Sequence, residues 1–196
     1  MKAKFLIIIG VLALLVFYGI SVNNSLVTAE EEVNSAWAQV ENQYQRRADL
    51  IPNLVNTVRG AADFESQTLQ DVIEARSRAT SVNIDANDLN NPEAFQQFQE
   101  AQSQLSGALS RLLVTVERYP ELQANQNFRD LQVQLEGTEN RIATERMRFN
   151  QAAQGFNTEI RQFPKSMLAS MFGFEQKEYF QAEQGAEQAP EVDFSN

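Results

Sequence analysis

The chain contains no cysteine and no histidine. Thiolate nucleophiles, disulfides and iron–sulfur clusters are therefore excluded, as are a haem held by an axial histidine and a helical di-iron site built on Glu-x-x-His. Carboxylates, lysines, arginines, tyrosines and hydroxyls remain for chemistry. The acids Glu30, Glu31 and Glu32, or Glu117 with Glu121, could work as acid and base, but no pattern sets them in an apolar pocket. The expectation is a non-enzymatic protein with no catalytic residue, cofactor or metal site.

Three other groups of residues have functional readings. Arg46, Arg47 and Asp49 precede Pro52 and could form a node with Glu139, Arg141, Glu145 and Arg146. Paired arginines suit phosphate or a lipid headgroup. Ion pairs on a solvated helix surface are the plainer reading, and it is favoured because no glycine-rich loop lies nearby. Asn140, Asn150 and Asn157 fall near one helical face. A ligand site would use them, but buried asparagines more often fix helix register. Phe174, Tyr179 and Phe180 are short aromatic anchors among acids, with Phe172 just before them and Phe194 beyond. They could dock on a partner or fold back on the molecule.

These residues need elements to hold them, and 3-4 apolar spacing supplies four. The stretches are Leu26–Val58, Leu69–Val82, Phe95–Tyr119 and Leu131–Phe163. The spacing predicts helices over 25–59, 64–86, 92–118 and 128–163. The fold class is all-α, an antiparallel four-helix bundle of long helices with aromatic residues such as Trp37, Phe149, Phe156 and Phe163 in its core. Thr28-x-x-Glu31 fits a capping box. Asn91-Pro92-Glu93 reads as a helix start, Asn127 with Asp130 as another, and Gly60 as a stop. Pro52 interrupts the first stretch. Either the helix continues with a kink, which the in-phase Tyr44, Ile51, Val55 and Val58 favour, or it restarts near Asp49.

Residues 5–22 are uncharged and apolar. As a helix they cover about 27 Å, close to a hydrocarbon core of about 30 Å. Val27-Thr28-Ala29 offers a signal-peptide cleavage site, but the apolar run is longer than a signal segment needs and ends well before it. A retained single-pass anchor is expected over 1–24. Lys2 and Lys4 before it place the N-terminus in the cytoplasm and the remainder outside. The organisation is then an anchor at 1–24, a helical bundle at 25–173 and an acidic flexible tail at 174–196. Gly10 and Gly19 form no GxxxG pair, so the anchor shows no dimer face of its own.

The net charge is −10. Such a chain should not bind nucleic acid by counterion release, and its acidic domain should be repelled by anionic lipid surfaces.

"RRADLIPNLVNTVRG" (46–60) followed by "TLQDVIEAR", the long run from Ala108 to Pro164, and the closing Phe-Gly-Phe at 172–174 resemble the LemA family over nearly the whole chain. The resemblance implies a membrane-anchored helical protein of the bacterial envelope, in the plasma (inner) membrane, and no defined biochemical activity. One departure stands out. Family members often carry Gly-Tyr-Ala-x-His-Glu after the proline motif, whereas here the run is Gly60-Ala61-Ala62-Asp63-Phe64-Glu65, so nothing can rest on that histidine or tyrosine. The expected function is a scaffold or adaptor. Its partners would be the bilayer through residues 5–22, an envelope protein and a second copy of the chain. The alternative is a sensor or binding bundle for a small anionic or lipidic ligand, signalling through a partner membrane protein.

Overall fold

The structure, a computed structural model, describes residues 2–60 and 65–181. The described chain is helical, without strands. It comprises α1 (Lys2–Arg59), α2 (Ser66–Ser81), a 3-10 turn (Ala86–Asp88), α3 (Pro92–Val116), α4 (Pro120–Ala124), α5 (Gln126–Arg161) and α6 (Lys165–Phe172).

The apolar segment and the first bundle helix are one element. At 58 residues, α1 is about 87 Å long. Its large apolar side chains are exposed from Phe5 through Ile20, and burial begins at Val22 and Leu26. No glycine pair or proline separates the two parts, so nothing in the backbone favours a break. The capping box at Thr28 does not form, because the helix is already under way. The Thr28 hydroxyl instead donates to the Asn24 carbonyl at 2.9 Å. Asn91 caps α3, accepting from the Glu93 and Ala94 amides. The cap of α5 is Asn125 rather than Asn127, and Asn125 accepts from the Asn127 and Phe128 amides.

Two pairings build the body. Along α1 and α5, Ser25 meets Glu159 and Arg47 meets Glu139, so sequence number rises on one helix as it falls on the other. Along α2 and α3, Ala79 meets Gln102 while Glu65, just before α2, meets Arg118. The core falls into two clusters. One gathers Trp37, Tyr44, Phe95, Phe98, Phe149, Phe156 and Phe180. The other gathers Ile51, Leu54, Val58, Leu105, Leu112 and Leu135. In the first, the Trp37 ring stands 5.4 Å from both Phe98 and Phe149, edge-on, a favoured aromatic geometry. Its indole N–H donates to the Ile84 carbonyl at 3.2 Å.

Pro52 lies inside α1, which continues through it, so the helix does not restart at Asp49. A proline has no N–H for the carbonyl four residues back, here Ala48, which is buried. Arg76 of α2 supplies the missing donor: its Nε donates to the Ala48 carbonyl at 2.8 Å. The interruption in one helix is thus the docking point of another.

Three expectations need correction. Phe163 is not core but 81% exposed, because α5 ends at Arg161 and the residue sits on the turn into α6. Ile73, read as part of the second stripe, is also exposed. The supposed tail does not begin at 174: residues 174–181 lie against the body, with Lys177 and Phe180 buried. Their path starts at Gly173, whose φ of 81° is the left-handed conformation that glycine adopts without strain. The Phe174 amide reaches back to the Ala169 carbonyl at 3.0 Å, the long bond of a Schellman stop. The rest of the supposed tail, with Phe194, lies outside the described residues.

Candidate functional site

Two polar features are built into the body, and α5 carries part of both. The first is a clasp. The Asn157 side chain is buried and pairs with both backbone groups of Lys177. Its amide donates to the Lys177 carbonyl at 2.8 Å and its oxygen accepts from the Lys177 N–H at 2.8 Å. Asn150 does the same to Phe180, at 2.9 Å each way. The geometry follows from two repeats. Seven residues of helix rise about 10.5 Å, and three residues of extended chain span about 10 Å. Asparagines seven apart therefore meet residues three apart on a strand lying along the helix.

Side chains reinforce the strand. Asn157 also donates to the Tyr179 hydroxyl at 2.8 Å. Lys177 pairs with Glu30 of α1 at 2.8 Å. The Phe180 ring packs into the aromatic cluster, tilted against Phe95 at 5.0 Å and stacked on Trp37 at 6.0 Å, under the Arg146 guanidinium at 4.6 Å. Arg146 also donates to the Gln181 carbonyl at 3.1 Å. Phe174 packs edge-on against Phe156. The three tail aromatics thus meet the body rather than standing free of it.

The second feature is the Arg47 node. Arg47 is 1% exposed, on the inward stripe of α1 between Tyr44 of one core cluster and Ile51 of the other. A buried guanidinium needs charge compensation and acceptors. Glu139 accepts at 2.6 Å, Ser106 at 2.7 Å and Gln102 Oε1 at 2.6 Å, and the Tyr44 ring lies 5.1 Å away. Gln102 in turn donates to the Ala79 carbonyl at 3.1 Å, so one network ties α1, α2, α3 and α5 together. Arg47, Gln99, Gln102, Ser106, Glu139 and Arg146 contribute to the wall of an open groove of about 740 Å³. Its charged wall residues are Arg47 and Arg146 against Glu100, Glu139 and Glu178, which disfavours a free anion.

The remaining candidates are placed elsewhere. Arg46 is exposed. Asp49 is exposed and accepts from Gln45 at 3.0 Å. Arg141 is exposed and folds back to its own helix at the Gly137 carbonyl. Asn140 is exposed, and its carbonyl accepts from the Thr144 hydroxyl at 2.9 Å. Glu145 pairs with Arg148 at 2.8 Å. Of the proposed node, then, only Arg47 and Glu139 meet. Gln102 and Ser106 were missed, yet Gln102 stands on the apolar stripe Phe95, Phe98, Leu105, Leu109. A polar residue at a core position is the signal that could have found it.

A long helical body on one apolar N-terminal helix describes a membrane-associated protein class. The model of the LemA family matches residues 36–194, and the chain belongs to that family. Among relatives, the chain is 27% identical over 199 residues to "Magnetosome protein MamQ 2" of Paramagnetospirillum magneticum, covering 90% of this chain and 71% of the relative. It is 23% identical over 180 residues to "Protein LemA" of Metamycoplasma hominis, covering 91% and 78%. It is 25% identical over 173 residues to "Magnetosome protein MamQ" of Magnetospirillum gryphiswaldense, covering 80% and 64%. Family and relatives point to a membrane-associated envelope protein. One described helix is long and apolar enough to cross a membrane.

Proposed function

We propose that the chain is a non-enzymatic scaffold or adaptor, held in the bacterial plasma membrane by residues 5–22. Its N-terminus is cytoplasmic, and α1 (from about residue 22), α2, α3 and α5 form an antiparallel four-helix bundle on the outer side. One observation carries the reading. The apolar run and the first bundle helix are a single helix, exposed as far as Ile20 and buried from Val22. A body joined this way stands at a fixed position over the membrane, which suits a platform for other proteins. Of the acids that could have served catalysis, Glu30 pairs with Lys177 and Glu31 accepts from Asn34.

Self-association is part of the proposal. Full-length protein in nanodiscs, measured by light scattering, should exceed the mass of one chain; a strict monomer there and in mild detergent removes that part. The adaptor role is tested by in-cell photocrosslinking from exposed Val114 and Val133, followed by identification of the captured proteins. Capture of one recurrent envelope protein is expected, and capture of none contradicts it.

The groove beside Arg47 favours a second reading, a binding bundle for a small ligand that signals through a partner. Arg47 and Arg146 stand in its wall among glutamines and serines, so a polar ligand has hydrogen-bonding groups to meet. Mass spectrometry of the purified chain tests this. A small molecule lost on Arg46→Ala with Arg47→Ala supports it, and unchanged content rejects it.

A further inference from the structure

An unexplained group of exposed apolar side chains lies on the α5–α6 turn and on α6. Phe163 is 81% exposed, Met167 69%, Met171 70% and Phe172 42%. Met167 and Met171 are spaced by four, which puts them along one side of α6, and Phe163 stands on the turn just before that helix. The opposite side, with Leu168 and Ala169, packs into the core beside Val22 and Leu26. Four large apolar side chains so close together are more than the scattered exposure normal for a soluble surface.

Their place along α1 says what covers them. Glu159 near the end of α5 and Lys165 at the start of α6 both meet Ser25: Ser25 donates to Glu159 at 3.2 Å, and Lys165 lies 3.4 Å from the Ser25 hydroxyl. Sequence number falls along α1 as it rises along α5, so α5 runs about 3 Å past Glu159 to Arg161, toward the N-terminal half of α1, and the turn with Phe163 follows. That is the level of residues 21–22, where the apolar run ends. The exposed stripe is therefore continuous with the exposed apolar surface of α1 at Ile20.

Charge points the same way. Between Ile160 and Phe174 there is no acid, only Arg161 and Lys165, in a chain whose net charge is −10. Lys165 pairs with Glu159 of α5 at 2.6 Å, and an apolar face with basic residues beside it is the composition of a segment that lies in a membrane interface.

We infer that the α5–α6 hairpin is a second membrane contact, with Phe163, Met167 and Met171 seated in the interfacial layer of the outer leaflet. The inference rests on the reading that residues 5–22 cross that membrane. The contact fixes the tilt of the body, because a rigid helix emerging at residue 22 is then held at two points rather than one. Arg161 and Lys165 lie at headgroup level beside the stripe.

The absence of cysteine makes single-site labelling direct. Full-length Leu12→Cys, Phe163→Cys, Met167→Cys and Val133→Cys chains are each labelled with the environment-sensitive fluorophore NBD. They are reconstituted in vesicles of phosphatidylethanolamine and phosphatidylglycerol, without bromine or with lipids brominated either near the top or near the end of the acyl chains. The expected result is blue-shifted emission and bromine quenching at 12, 163 and 167, and neither at 133. Quenching at 12 without quenching at 163 and 167 overturns the hairpin contact while leaving the anchor. Quenching at 163 and 167 without quenching at 12 or at deeper bromine positions removes the anchor and leaves the contact. No quenching at any site overturns both.

Discussion

Pro52 and Arg76 provide a sharp test of how α2 is docked. In the native chain the Ala48 carbonyl has lost its helical donor to Pro52 and receives the Arg76 Nε proton at 2.8 Å instead. Ala48 is 4% exposed, so water does not replace a lost donor freely. Arg76→Met should then cost about 1.5–3 kcal/mol, the value of a hydrogen bond from a charged donor to a buried acceptor. In a Pro52→Ala background the residue-52 N–H is restored and lies in the helical position to serve Ala48. There Arg76→Met should cost no more than about 0.5 kcal/mol, as at an ordinary surface site. The coupling between the two changes is therefore about 1–2.5 kcal/mol, within the range for residues that share one partner. Pro52→Ala alone should be stabilising, by less than the about 3 kcal/mol of an uncompensated interior proline, because Arg76 already offsets part of that cost. The assay is urea unfolding of the full chain in detergent, followed by fluorescence of Trp37. This is the one tryptophan and it is 3% exposed, so it reports opening of the body and not of the apolar segment. Equal costs of Arg76→Met in the two backgrounds would refute the reasoning.

Three further outcomes are expected. Asn157→Asp keeps shape and one acceptor but loses the donors to the Lys177 carbonyl and the Tyr179 hydroxyl; it should cost about 1–3 kcal/mol and raise hydrogen exchange at Lys177 and Phe180 selectively. Glu139→Ala leaves the Arg47 guanidinium buried without its counter-charge and should cost about 1.5–3 kcal/mol, a value kept modest because the Glu139 side chain is 40% exposed. Adding Arg47→Met should recover part of that loss, since the buried charge goes with it, and a double variant with a lower melting temperature than Glu139→Ala would count against the node. Phe149→Ala, at a site with no exposure and rings on three sides, should cost about 3–5 kcal/mol and shift Trp37 emission to the red.

The long helices are legible from 3-4 spacing because each buries one stripe, and Asn91-Pro92-Glu93 marks its start by chemistry local to the turn. The continuity of α1 is less legible. Thr28-x-x-Glu31 is a sound capping signal, but a cap matters only where the preceding residues leave the helix, and apolar residues with no breaker do not. Phe163 follows the period of α5 yet lies beyond its end, so periodicity alone overextends the core by one residue. The clasp was the hardest to see. Residues 174–181 are polar and acidic and lack periodicity, so they read as solvated chain. Their order comes from amides on Asn150 and Asn157, which lie 20 to 30 residues away, and a single sequence does not pair such distant positions. The Arg47 node lies between these cases. Arg47 and Gln102 each occupy a stripe position that should be apolar, which marks them as buried and paired without naming the partner.

The central claim is that the helical body stays attached to residues 5–22 and stands outside the plasma membrane. It is tested most directly by a Val133→Cys chain, the only thiol in the molecule, exposed on α5. Cells with any outer barrier permeabilised are treated with a membrane-impermeant maleimide, and the chain is then followed through carbonate extraction. The reading predicts labelling while the plasma membrane is unbroken and a full-length chain, by mass, that stays with the membranes. Labelling only after lysis, or a shortened chain released in soluble form, would contradict it.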